Sequence, residues 1–279
     1  MSNAFAVEII DDRGVEVRLE QPATRVVALY GAFNEMLLEL GAEDTIIART
    51  RADVFPASIL EKPVIGTHMR PNVELVLGLK PDLVLQMGGR KKALAPVEQL
   101  EAQGIPVAAF TVQNFDELFS VIERIGILVG KVEEASSLEQ SMKKRLDIVS
   151  NASVGLEKSS VFFEVRYPNL LAAGQESFVT DVIARAGGIN CVSAQKKFVR
   201  LSEEVLLMNL NPQVYILQRG VMNRSTIPVR DRPAYRVLQA VQNARVYEVD
   251  EQLFSRPGPR SVDAVEQLFQ LLHVEKNNN

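Results

Sequence analysis

Arginine, methionine and aromatic residues recur where the apolar runs of this sequence end. Tyr30 follows Arg25-Val26-Val27-Ala28-Leu29, Arg49 and Arg51 follow Thr45–Ala48, and Met87 and Arg90 follow Leu83-Val84-Leu85. His68, Met69 and Arg70 stand beyond Val64-Ile65-Gly66. In the second half Arg166 and Tyr167 follow Ser160–Val165, and Phe198 with Arg200, Arg219 with Met222, and Phe254 with Arg256 hold comparable places. A guanidinium is a planar fork of donors that suits carboxylate, phosphate or catecholate oxygens. Methionine and aromatic rings add adaptable apolar contact. Carboxylates are scarce at these positions. The set predicts capture of an anionic small molecule rather than bond-making chemistry.

Catalytic signatures are missing from the sequence. It has no Gly-x-Ser-x-Gly, no Walker A sequence, no Gly-x-Gly-x-x-Gly and no His-Glu-x-x-His. It has two histidines. His273 reads as a surface residue of the last helix. His68 is placed to touch a ligand or a metal, but no run of Asp, Glu or Cys accompanies it, so a protein-only metal site is not expected. General acid–base chemistry needs a base with an orienting partner, and no such pair can be named. The single cysteine, Cys191, matches no disulfide or zinc spacing and reads as a buried small hydrophobe. No intrinsic cofactor and no enzymatic activity are expected.

These residues need elements that carry them to common edges. The 279 residues are 47% apolar and carry a net charge of −4. That composition supports a sizeable core and lacks the basic stripe of a nucleic-acid binder. No apolar run approaches the roughly 18 residues of a membrane span. The start shows no secretory leader, and Ser2-Asn3-Ala4 reads as a vector-derived scar, which leaves the compartment open. Strand 25–29, helix 34–40 ending at Gly41 and strand 45–48 form a strand–helix–strand unit, the building block of a parallel α/β sheet. Helix 73–79, strand 83–85, helix 95–103, strand 107–110 and helix 115–128 repeat it. From about Val132 to Val149 neither Gly nor Pro interrupts, which predicts one long helix. The alternation then resumes at Ser160–Val165.

The second half echoes the first. Val73-Glu74-Leu75 through Pro81-Asp82-Leu83-Val84-Leu85 parallels Glu204-Val205-Leu206 through Pro212-Gln213-Val214-Tyr215-Ile216. Each is an acid, an apolar helix, Leu-x-Pro and a buried strand. Gln103–Val107 likewise parallels Gln242–Val246. A worn duplication about a lone helix predicts two Rossmann-like α/β lobes joined by one long rigid helix, with a ligand cleft between lobes. The expected boundaries are 1–130, 131–155 for the helix, and 156–279.

In this order and spacing the segments resemble the periplasmic binding proteins that deliver iron–siderophores, haem or cobalamin to ABC importers. The resemblance runs from about Thr24 to Leu272. It rests on 25–29 leading to 34–42, Val64-Ile65-Gly66, Asn72–Val84, the lone helix, Ala186-Gly187-Gly188-Ile189-Asn190, Ser202-Glu203-Glu204 and Ser255–Arg260. It implies a periplasmic or lipid-anchored extracytoplasmic carrier, monomeric, handing its small-molecule ligand to a permease dimer and its ATPase subunits without nucleic acid. It also implies docking glutamates, Glu74 in Asn-x-Glu and Glu204 in Ser-x-Glu. Both acids equally suit a helix first turn, where the macrodipole favours negative charge. The chain lacks tryptophan, on which cobalamin binders of this family rely. Thr67-His68 stands where haem binders usually place a tyrosine. The arginine-rich set points to an iron–siderophore or related metal chelate, with haem, cobalamin or a molybdate-type oxyanion as alternatives. A metallo-oxidoreductase subunit would need several cysteine ligands, and a detached sensor lobe is a further alternative.

Overall fold

The computed structural model describes residues 6–88, 91–225 and 227–274. The chain forms two compact units, one built from residues up to 112 with 116–141, the other from 113–115 with 142 onward.

The first unit opens with an antiparallel hairpin, β1 (Val7–Ile10) and β2 (Glu16–Leu19). Then come β3 (Val26–Ala28), α1 (Gly31–Glu39), β4 (Ile46–Ala48), a small hairpin of β5 (Gly66–Thr67) and β6 (Arg70–Pro71), α2 (Val73–Gly78), β7 (Leu83–Met87), α3 (Lys91–Glu101), β8 (Val107–Phe110) and α4 (Phe115–Leu128). The sheet order is β4-β3-β7-β8, parallel throughout. These strands are short apolar runs buried on both faces, as a parallel sheet covered by helices requires. Val27, Leu29, Val76, Val84, Val97 and Leu100 share one core cluster. Helix α3 starts earlier than its sequence suggests and contains Pro96, which leaves one intrahelical hydrogen bond unmade.

Helix α5 spans Val132–Ser153 and opens with Glu133 and Glu134 in its first turn. Ala135, Met142, Leu146 and Val149 are buried along it, a single stripe at helical spacing. The boundary of the two units falls within this helix, between Ser141 and Met142, so each unit holds one half. In the first unit α4 approaches it closely. A Cβ on Gly126 would lie 2.6 Å from the Ala135 Cβ and 2.9 Å from the Lys131 carbonyl oxygen.

The second unit holds β9 (Ser159–Arg166), β10 (Leu171–Ala173), α6 (Phe178–Arg185), β11 (Gly188–Asn190), β12 (Phe198–Arg200), α7 (Glu203–Val205), β13 (Val214–Arg219), α8 (Gln239–Gln242), β14 (Val246–Asp250), α9 (Glu251–Ser255) and α10 (Ser261–Phe269). Parallel pairing runs β11-β9-β13-β14. This is the strand order of the first unit, second-first-third-fourth, so the duplication read from sequence recurs in topology. The local conformation recurs too. Lys80 and Asn211, each just before the proline of Leu-x-Pro, have φ of 50° and 34°. The second sheet adds two antiparallel strands, β10 on the carboxyl half of β9 and β12 on β10.

Arg145 fastens α5 to α10. Its Nη2 lies 2.6 Å from Asp263 and 2.6 Å from Glu266, and its Nε donates to Glu266 at 2.8 Å. His273 is half-buried rather than a surface residue; a ring nitrogen lies 3.1 Å from the Ala186 carbonyl oxygen. Gly126→Ala is expected to destabilise the chain by about 1–3 kcal/mol, because the backbone at Lys131, directly before α5, cannot yield without moving that helix. Urea unfolding measures this, and an unchanged midpoint would contradict the close α4–α5 approach.

Candidate functional site

In open parallel sheets ligands bind beyond the carboxyl ends of the strands. In the first unit that edge carries Tyr30, His68 and Met87. Tyr30 leaves β3 in extended conformation and starts α1. Its ring meets His68 edge-on at 5.8 Å and Phe33 at 6.0 Å. His68 and Met69 are the two turn residues of the β5–β6 hairpin. Gly66 makes that hairpin possible: its φ is 106°, and a Cβ there would lie 2.6 Å from the Arg70 carbonyl oxygen. Buried Gln86 on β7 donates to the His68 carbonyl at 3.1 Å and accepts from the Met87 N–H at 2.8 Å. Thus the turn is tied to the strand end. Arg51 is exposed, its N–H donating to the Gly66 carbonyl at 2.7 Å. Arg49 turns inward instead, donating to the Asp53 carbonyl at 3.3 Å. Arg90 lies outside the described residues.

In the second unit Arg166, Tyr167 and Met222 come together. With Pro168, Asn169, Val221, Arg224 and Ser225 they line an open depression of about 520 Å³. The Nε of Arg166 is buried and has no acceptor among the described residues. A buried donor left unpaired is costly, and a ligand or water oxygen would satisfy it.

Beneath this depression lies a charged cluster that the sequence reading missed. Glu164, on β9, is fully buried. Arg232 grips it with Nη1 at 2.5 Å and Nη2 at 3.1 Å. The Tyr215 hydroxyl donates to it at 2.5 Å and the Asn223 amide at 2.9 Å. Both carboxylate oxygens are therefore doubly satisfied, the condition under which a buried ion pair is tolerated. Burial first, then the Glu164 charge, pushes the Tyr215 hydroxyl well above its ordinary pKa. The same cluster sets the walls of the depression. The Arg232 guanidinium lies 3.7 Å over the Tyr167 ring. Asn223 accepts from the Tyr167 N–H at 3.1 Å, joining segment 166–169 to segment 221–225. Glu251 accepts from the Met222 N–H at 2.7 Å.

Other expected site residues take other places. Phe254 is fully buried and stacked on Phe163 with ring centroids 6.0 Å apart, so it is a core residue with no surface for a ligand. Arg219 is in an ion pair with Glu248 at 2.7 Å. Phe198 and Arg200 lie on the antiparallel strand β12 and not at a parallel strand exit. Arg256 is half-buried just after α9. Cys191 is half-buried, and burial pushes its thiol up to about 12.

Glu74 and Glu204 occupy matching positions. Each is exposed and sits in the first turn of a short helix, α2 or α7. Asn72 caps the first, accepting from the Leu75 N–H at 3.0 Å, and Ser202 caps the second, accepting from Val205 at 3.3 Å. Neither acid makes an ion pair among the described residues. Among the described residues no group of three or more His, Cys, Asp or Glu is placed to hold a metal ion, and no helix is long and apolar enough to cross a membrane.

Two α/β units of one topology, with arginine and aromatic side chains at their carboxyl edges, define a ligand-binding class of fold. A family model described as periplasmic binding protein matches residues 26–253, and the chain belongs to that family. It is 30% identical, over 98% of its length and 88% of the relative's, to an uncharacterized ABC transporter substrate-binding lipoprotein, YvrC, of Bacillus subtilis. It is 23% identical to the vitamin B12-binding protein of Vibrio cholerae, covering 91% of this chain and 90% of that protein. A solved structure of a possible iron-binding periplasmic solute-binding protein from Staphylococcus epidermidis superposes with a TM-score of 0.77 at 26% identity, over 90% of this chain and 99% of that one.

If the Glu164–Arg232 pair supports these walls, breaking one half is costly. Arg232→Met is expected to lose about 3–5 kcal/mol by stranding a buried carboxylate, whereas Arg232→Met with Glu164→Leu recovers most of it. Chemical denaturation compares them. A single variant as stable as the parent would show that the pair is dispensable.

Proposed function

We propose that the chain is the extracytoplasmic solute-binding component of an ABC importer and carries an iron–siderophore or related anionic metal chelate. The observation that carries this reading is the second-unit depression, where Arg166 offers a buried donor without an acceptor among the described residues, beside Tyr167, Met222 and Arg224. A negatively charged, partly apolar ligand meets both needs of such a lining. Tyr30, His68 and Met87 stand at the corresponding carboxyl edge of the first unit, and Met69, Arg51 and Arg90 lie near them in sequence. The chain acts as a carrier, not a catalyst, and brings no cofactor of its own; the metal arrives with the ligand. Membership of its family and the substrate-binding lipoprotein among its relatives support the importer assignment. On this reading the carrier is held outside the cytoplasmic membrane, free or by a lipid anchor, and works as a monomer.

Delivery on this reading uses Glu74 and Glu204. Two exposed acids on matching capped helices, with no ion pair among the described residues, suit arginines on two permease subunits. The ATPase subunits then supply the energy.

Calorimetric titration with an iron(III) catecholate siderophore, haemin, cyanocobalamin and molybdate tests the ligand class. The iron(III) catecholate is expected to bind most tightly, and Arg166→Ala to weaken it by about tenfold or more, the loss of one charge-assisted contact. Tighter binding of haemin or cyanocobalamin, or an Arg166→Ala variant of full affinity, would reject the anionic-chelate reading. Glu74→Ala and Glu204→Ala are expected to leave that affinity intact and to lower cellular uptake.

A further inference from the structure

The two capped turns that carry Glu74 and Glu204 begin and end alike but differ in length. Asn72 and Ser202 cap them, and left-handed Lys80 and Asn211 close them directly before a proline. The first stretch, 72–80, has nine residues and the second, 202–211, has ten. The extra residue is taken up by a single π turn, Leu206–Leu210, closed by the Asn211 N–H donating to the Leu206 carbonyl at 3.0 Å. In the first turn the corresponding N–H, of Lys80, reaches only three residues back, to the Leu77 carbonyl at 3.0 Å. Such π turns are rare and recur at functional sites.

The wider turn presents an apolar side chain beside its acid. Counted from the cap, Met208 holds the place of Gly78. Met208 is 78% exposed, whereas a Cβ added at Gly78 would meet nothing within 4 Å, so the same spot on the first turn is bare. Met208 lies four residues beyond Glu204, which puts the two on one face of the turn. The backbone beneath them is anchored at both ends. Leu206 is buried in the core cluster of Tyr215 and Tyr235, and its N–H donates to the Ser202 carbonyl at 3.3 Å. The Asn211 side chain accepts from the Gln239 N–H at 2.9 Å. A single exposed methionine is ordinary on a protein surface. This one stands on a fixed turn next to an acid that has no ion pair among the described residues. Little backbone ordering is left to be lost when a partner binds there.

We propose that Met208 is a second docking residue of this turn, seated in an apolar hollow of the permease subunit that meets Glu204, about one helical turn from the basic group that pairs with the acid. The inference rests on the reading of Glu204 as a docking acid. The free acid selects a basic protein surface, and the methionine selects a hollow next to the basic group. An exposed ion pair alone is weak and screened by salt. Burial of a flexible apolar side chain beside it adds contact that salt does not screen. Methionine is enriched in protein interfaces and acids are depleted from them, so Met208 suits the dry centre of the contact and Glu204 its wet rim. The first turn has exposed Leu75 directly after Glu74 and nothing at Gly78, so the two turns make different demands on the partner.

The test is binding of the full-length chain to the permease–ATPase complex through which it supports uptake, held in nanodiscs, at about 50 mM and about 500 mM salt. Met208→Gln is expected to weaken binding by about tenfold at both salt concentrations, and Met208→Leu, which keeps the apolar bulk, to bind as the parent does. Glu204→Gln is expected to weaken binding at low salt and to lose most of that effect at high salt. Val154→Gln, at a residue 77% exposed just after α5, is expected to leave binding unchanged. Met208→Gln at parental affinity, with Glu204→Gln weakened at low salt, overturns the inference and leaves the docking reading standing. A Met208→Gln loss confined to low salt, or matched by Val154→Gln, overturns it as well. So does self-association of the parent chain that Met208→Gln abolishes, which would assign the side chain to a second copy. Glu204→Gln at parental affinity in low salt, or a parent chain that binds no such complex, overturns the docking reading and the inference with it.

Discussion

A carboxylate buried without solvent sets the terms for the second unit. Glu164 sits in the middle of an apolar strand, and moving its charge out of water costs several kcal/mol unless its neighbours replace the lost hydration. Arg232, Tyr215 and Asn223 do so, and each comes from a different stretch of chain. Arg232 arrives from the loop after β13, Tyr215 from β13 itself and Asn223 from the segment that follows it. Satisfying one carboxylate thus fixes three segments. The rim of the depression inherits that order, because Asn223 and Arg232 turn their remaining bonding capacity toward Tyr167. A polar network of this kind specifies one arrangement where apolar packing would allow several. The first unit has a smaller version of the device, in which buried Gln86 fixes the His68 turn to the end of β7.

The second constraint is topological. Parallel strands deliver all their carboxyl ends to one edge, so the residue just past each strand joins its neighbours whatever their distance in sequence. The chain uses the same four-strand order twice, β4-β3-β7-β8 and β11-β9-β13-β14. That repetition explains why both halves place aromatic and arginine residues at equivalent points. It also explains why Asn72-Val73-Glu74 and Ser202-Glu203-Glu204 end on capped helix starts of the same kind.

Much of this was legible in the sequence. Short apolar runs punctuated by Gly and Pro gave away the parallel strands, and the uninterrupted stretch before Val149 gave away α5. The Leu-x-Pro pairs revealed the duplication, and the left-handed Lys80 and Asn211 give it a physical basis. Strands β10 and β12 were not legible, because three residues carry no readable period. Phe254 was misplaced for a related reason: an aromatic residue past a strand looks the same in sequence whether it turns to the core or to a ligand. The Glu164 cluster was hidden by distance, its partners lying 51, 59 and 68 residues away. One signal was available. An acid inside Val161-Phe162-Phe163-Glu164-Val165 cannot be buried alone, so its presence announces a partner even when the partner cannot be named.

The arginines illustrate how far residue type carries a functional argument. Sequence position groups Arg49, Arg166 and Arg219 together as strand exits. Structure separates them by what each guanidinium already holds. Arg219 has Glu248; Arg49 and Arg166 each keep a buried Nε without an acceptor among the described residues, but Arg49 also donates to the Asp53 carbonyl, and of the two it is Arg166 that lines the depression. An arginine already paired must break that bond before it can grip an anion, and the exchange gains little. An arginine with an unmet donor gains a full interaction, because the desolvation of its N–H has been incurred in folding. The same logic distinguishes the two acids of α7. The Tyr235 hydroxyl lies 3.5 Å from the Glu203 carboxylate, whereas Glu204 stands free of ion pairs among the described residues, so the second is the better suited to meeting a partner.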